Sequence, residues 1–179
     1  MDVPLWISAF GPKGSARVGE LADGTIGPPH PSLPAATMVS GTVLDPGEDS
    51  SSPRVLEAVG PWRVVGVHGA YATAGANVVD TIPGAAEWRA ALESLAPEGE
   101  RHTITFEGHV THLPDRDRPL LQHTASARPS RSELTGDAAT VRAGIARIAE
   151  AGFAEVIYTP SGPDVAREIT AFAAAHFGR

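Results

Sequence analysis

The stretch VPLWISAFGPKGSARVGELADGTIG, residues 3–27, holds an apolar run, a Gly-Pro-Lys-Gly turn, a helical stretch and a second short apolar run. Val3 to Ala9 is rich in β-branched and aromatic residues with its proline near the start, which predicts a buried strand. Gly11-Pro12 turns the chain, and Gly14 to Ala22 sets Val18 and Leu21 opposite Arg17 and Glu20, the pattern of an amphipathic helix. Asp23-Gly24 stops the helix, and Thr25-Ile26 opens a second strand. One strand-helix-strand unit therefore stands at the front of the chain.

The rest of the chain continues the alternation. Gly27 to Pro34 (GPPHPSLP) holds four prolines and reads as a loop leaving the second strand. Ala36 to Leu44 has strand composition, and Asp45 to Pro53 is a polar turn ending in a helix cap. From Arg54 to Pro83, apolar residues at helical spacing are interrupted by Gly60-Pro61, Gly66, Gly69 and Gly75, which predicts helices with breaks. Glu87 to Leu95 reads as a helix. His102 to Leu113 (HTITFEGHVTHL) alternates well enough to predict a strand bent near Gly108, followed by a charged loop from Pro114 and an irregular stretch from Leu120 to Leu134. Ala138 to Ala151 is a helix behind Gly136-Asp137, Glu155 to Thr159 a short strand, and Asp164 caps a last helix with Val165, Ile169 and Phe172 on one face. Four to five short strands alternating with amphipathic helices predict a parallel α/β sheet, for which an open sheet and half of a barrel serve equally.

Composition bounds the function. The 179 residues are 42% hydrophobic and suit a single domain spanning 1–179. Twenty-one acidic residues against 14 basic ones give a formal charge of −7, which speaks against a nucleic-acid or anionic-membrane surface and for a small-molecule substrate. There is no cysteine, so thiolate metal sites, disulfides and a Cys nucleophile are excluded. No run has the length of a membrane span and the N-terminus has no signal-peptide pattern, so a cytoplasmic protein is expected.

The front block, together with TGDAATVRAGIARIAEAGFAEVIYTPSGPD at the back (residues 135–164) and GERHTITFEGHVTHLPDRDRPLL between them (99–121), resembles the luciferase-like monooxygenase family of flavin- and F420-dependent oxidoreductases. That family folds as a (βα)8 barrel. The resemblance starts at about the fifth strand, which implies the C-terminal half of a TIM-type barrel, roughly the fifth to eighth βα units. It implies FMN or F420 as cofactor, activity only when a second half is supplied, and a homodimer or a separate N-terminal half as partner. The alternative is a non-catalytic half-barrel held together by self-association, without cofactor.

In the family, the turn after this strand approaches the cofactor phosphate, so the resemblance implies cofactor-binding roles for Ala9, Phe10, Gly11, Pro12, Lys13 and Gly14, with Thr25 and Gly27 beside them on the next strand. The physical reason is that glycines admit close backbone approach, a helix N-terminus favours an anion, and Lys13, the only lysine, adds a point charge. A turn whose glycines serve geometry alone, with a solvated Lys13, accounts for the same residues. Pro28 and Pro29 have no N–H to donate. Asp137 reads as a helix cap, Asp115 to Arg118 as a solvated turn, and His109 and His112 as structural, since a strand would point them to opposite faces and no third ligand is evident, so no metal is expected. Ser161-Gly162 is a turn dipeptide, no G-x-S-x-G elbow occurs, and no catalytic residue is assigned.

Overall fold

The computed structural model describes residues 3–9, 11–124 and 132–178. Its frame is a four-stranded, all-parallel sheet of β1 (Trp6–Ile7), β2 (Gly24–Ile26), β3 (Ala35–Val39) and β4 (Glu155–Tyr158), lying side by side in chain order. Ile7 pairs with Thr25, Thr25 with Ala35, and Ala36 with Glu155. Helix α1 (Pro12–Leu21) links β1 to β2 as the sequence predicts, whereas β2 reaches β3 through the proline-rich loop with no helix. The fold is thus mixed α/β with a parallel sheet.

Beyond Val39 the chain stays extended and changes neighbours. Ser40 and Val43 bridge to Glu133 and Gly136, so the segment leading into α7 (Ala138–Glu150) lies where the sheet would otherwise end. Gly41 makes this possible: at φ +129 a Cβ would sit 2.1 Å from the Leu134 carbonyl oxygen. Helix α8 (Val165–Phe177) follows β4, and α7 and α8 pack against the sheet through Val39, Leu134, Val141 and Phe172. Phe172 stacks flat on Tyr158, ring centroids 3.9 Å apart, and the Tyr158 hydroxyl donates to the Gly41 carbonyl at 2.9 Å. Val165 and Ile169, expected on the buried face with Phe172, are 42% and 51% exposed.

Between β3 and α7 the chain builds a helical lobe: α2 (Pro53–Ala74), α3 (Ala76–Val79), α4 (Ala85–Leu95), α5 (Arg101–Thr105) and α6 (Arg118–Thr124). It has its own core around Val64, Val67, Val79, Trp88, Leu92 and Leu120. The predicted breaks after Arg54 do not occur until Gly75. Gly60-Pro61 continues the helix because it is buried in contact: a Cβ on Gly60 would meet Leu113 and Leu121 at 3.2 Å.

The predicted strand over His102–Leu113 is corrected to a short helix and turns. Its alternation is that of α5 followed by two positive-φ residues, Gly108 at +70° and Val110 at +52°, which end any extended path. Arg116 donates to the Ile104 carbonyl and holds the short helix closed. The solvated turn expected at Asp115–Arg118 is corrected too, since Asp117 is fully buried. The irregular stretch predicted over Leu120–Leu134 begins as the helix α6 and ends beside Ser40, where the Leu134 amide donates to the Ser40 carbonyl; 125–131 between them lie outside the described residues.

Candidate functional site

Parallel α/β sheets place ligands at the carboxyl ends of their strands. Here that end carries Ser8 and Ala9 after β1, Gly27 after β2, Ser40 to Val43 after β3, and Thr159 to Gly162 after β4.

At β1, Gly11 is the N-cap of α1 in an extended conformation, φ −114 and ψ 156, and no side chain caps the helix. Pro12 occupies the first turn and has no N–H; the Ser15 amide donates back to the Gly11 carbonyl at 2.9 Å. The first-turn donors left are those of Lys13 and Gly14. Gly14 packs closely, since a Cβ there would sit 3.2 Å from that of Ala9, whereas the space beside Gly11 is open. Lys13 is exposed. Ala9, Gly11, Pro12, Lys13 and Gly14 therefore share one turn, while Phe10 lies outside the described residues.

The neighbouring positions are committed elsewhere. Thr25 is buried and its amide donates to the Pro34 carbonyl; the Gly27 amide donates to the Ala36 carbonyl at 2.9 Å. Neither amide is left to face a ligand, and Pro28 and Pro29 add none. Gly27, at φ +131, turns the chain off β2 into open space.

Two buried polar clusters escape sequence reading because their members are far apart in the chain. At the end of β3, the Glu168 carboxylate accepts from the Thr42 hydroxyl at 2.6 Å, from Arg54 at 2.8 Å and from Arg167 at 3.1 Å. Arg54 also pairs with Glu48, whose carboxyl is held down from 4.5 to about 2, first by the Arg54 hydrogen bond and then by the Asp45 amide. With two guanidiniums against Glu168, Glu48 and Asp45, the cluster has no cationic surplus for an anionic ligand.

In the helical lobe, the Trp88 indole donates to Asp117 at 2.7 Å, and His68 Nε2 lies 3.0 Å from the other carboxylate oxygen while its ring stacks on Trp88. Both His68 and Asp117 are shut off from solvent, at 1% and 0% exposure, so this group serves packing rather than substrate chemistry.

Asp137 caps α7 by accepting from the Thr140 amide at 2.8 Å, and Ser161 is buried, its hydroxyl donating to the Ala58 carbonyl at 2.6 Å. Among the described residues no three His, Asp or Glu side chains are grouped as metal ligands, and no helix is long and apolar enough to cross a membrane. No protein-family model matches the chain, and no curated protein matches it.

Proposed function

We propose that the β1–α1 turn binds the phosphate-bearing end of FMN or F420, and that the chain is the C-terminal half of a luciferase-like oxidoreductase or monooxygenase that turns over a small molecule once a second half completes the barrel. The supporting observation is the uncapped N-terminus of a ten-residue helix at the carboxyl end of a parallel strand, with the chain's only lysine in its first turn. The residues fit such an anion: the amides of Lys13 and Gly14 donate, the Lys13 ammonium adds charge, and the open space at Gly11 admits the group. The cofactor, when bound, supplies hydride or oxygen chemistry, and the protein's part is to hold and orient it.

Titration of the chain with FMN and with F420, followed by fluorescence, tests this. Lys13→Ala weakens binding of the preferred cofactor about fivefold or more, the range of one charge at a helix N-terminus, and leaves the fold intact. Equal binding by Lys13→Ala and the parent, or no binding by the parent, rejects the site.

A second reading, a non-catalytic half-barrel, is favoured by one observation: the amides of Thr25 and Gly27 are spent inside the sheet and the next two residues are prolines. Under it neither cofactor binds.

A further inference from the structure

We propose that a second copy of this chain covers the open edge of β4, seating its β1 edge there, and that the two-fold repeat of this seam closes an eight-stranded ring. The proposal rests on the half-barrel reading above and names its partner.

Among the described residues β4 pairs only with β3, and β1 only with β2, so the sheet has two unpaired edges of opposite kind, the last and the first of a parallel ladder. Unpaired edges of this sort are templates for pairing with another chain. Because all four strands run the same way in chain order, a two-fold axis parallel to them brings β4 of each copy beside β1 of the other, and both seams form at once.

The register follows. Ile7, Thr25 and Ala35 lie in one row, and the Ala36–Glu155 pair extends that row to Ala154. A closed eight-stranded barrel of this type has a shear of about 8 residues, so half a ring contributes about 4. Displaced by four, Ala154 meets either Val3 or Gly11 of the other copy. The second choice would run β4 along Pro12–Leu21, which is helix, so the first applies and sets Glu155 opposite Pro4 and Val156 opposite Leu5.

The shift is even, so the faces agree. Val156 and Tyr158 point toward the α7–α8 layer, and Leu5 joins them on that side.

The surfaces to be covered are apolar on both sides. Beside β4, a groove of about 660 Å³ between α7 and α8 is lined by Ile148, Phe153, Val156, Ile169 and Phe177. Phe177 is 68% exposed; on the complementary edge Val3, Leu5 and Leu21 are 80%, 53% and 52% exposed. A stable interface takes roughly 800 Å² from each partner. Each copy presents both of its edges to one neighbour, so the two seams add to a single interface, and closure also covers the inward side of Met38, which is 42% exposed.

Light scattering on the eluting protein, with engineered cysteines, is the test. The parent runs at twice the 18.5 kDa of one chain at micromolar concentration. The chain has no cysteine of its own, so in a Leu5→Cys/Val156→Cys variant the only disulfide available is across the seam, at a Cα separation within the bonding range. That variant runs as a covalent dimer under non-reducing denaturation, and neither single variant does. Pro4→Cys/Glu155→Cys, at exposed positions, gives the same result and stands in if the first pair impairs folding. A monomer, an assembly larger than two chains, or a dimer in which neither pair cross-links overturns the proposal. A cross-linked dimer that binds neither FMN nor F420 supports the seam and rejects the cofactor site, so the two failures are separable.

Discussion

Arg54 and Glu168 stand 114 residues apart in the chain and 2.8 Å apart in the fold, joining the first turn of the helical lobe to the last helix of the sheet layer. Glu168 keeps only 4% of its side chain exposed, so solvent is poorly placed to replace lost partners. Glu168→Ala takes the buried carboxylate from Arg54, Arg167 and the Thr42 hydroxyl at once, leaving Arg54 with Glu48 and the Val43 carbonyl, and the expected loss is about 3 kcal/mol of unfolding free energy. Urea denaturation measures it; a loss within error of zero would show that the two guanidiniums re-pair at no cost.

The Trp88 indole and Asp117 make the lobe's core specific. Trp88→Phe keeps most of the apolar volume and removes one buried donor, so about 1–3 kcal/mol is lost, while Asp117→Ala costs more because the Trp88 indole loses its acceptor and His68 loses the carboxylate 3.0 Å from its Nε2. Amide exchange should localise both losses to α2, α4 and α6, because that core shares no buried residue with the one between the sheet and α7–α8.

Glu48 gives the fold an acid limit of known sign. Its folded carboxyl is depressed from 4.5 to about 2, so the stability it contributes is fully present above about pH 4.5 and is lost as the pH falls toward 2. The stability gap between the parent and Glu48→Gln should be constant from pH 7 to 5 and shrink below 4.5. A gap that instead grows on acidification would contradict the Arg54–Glu48 pairing.

Gly41 admits no substitute. With φ at +129 and the Leu134 carbonyl where a Cβ would stand, Gly41→Ala combines backbone strain with a backbone clash and should cost at least about 3 kcal/mol, read as a fall in thermal midpoint. Gly66→Ala, in open space on α2, should be neutral or slightly stabilising.

The buried strand read over Val3–Ala9 shrinks to Trp6–Ile7, which is only partly buried at the sheet edge, with Val3 and Leu5 exposed. The order of the front unit was nonetheless legible because punctuation agrees there, Gly-Pro at the helix start and Asp-Gly at its end. The same holds for Asp137 and Asp164, each of which caps its helix as read. His102–Leu113 was misread because a short helix followed by positive-φ turns imitates alternation over a dozen residues, and only Arg116, from beyond the segment, shows why it closes. Gly60-Pro61 looked like a break because local propensity cannot register that Leu113 and Leu121 press against it. The β1–α1 turn was visible in the sequence as a candidate site; that the Gly27 amide belongs to the sheet was not, since it depends on where β3 lies.

The measurement that bears most directly on the central claim is elution of the chain with added FMN or F420, monitored from about 350 to 460 nm where these chromophores absorb. Chromophore travelling with the protein, and lost in Lys13→Ala, is the predicted result. Protein eluting colourless with both cofactors would contradict the cofactor site and leave the non-catalytic half-barrel as the reading of this fold.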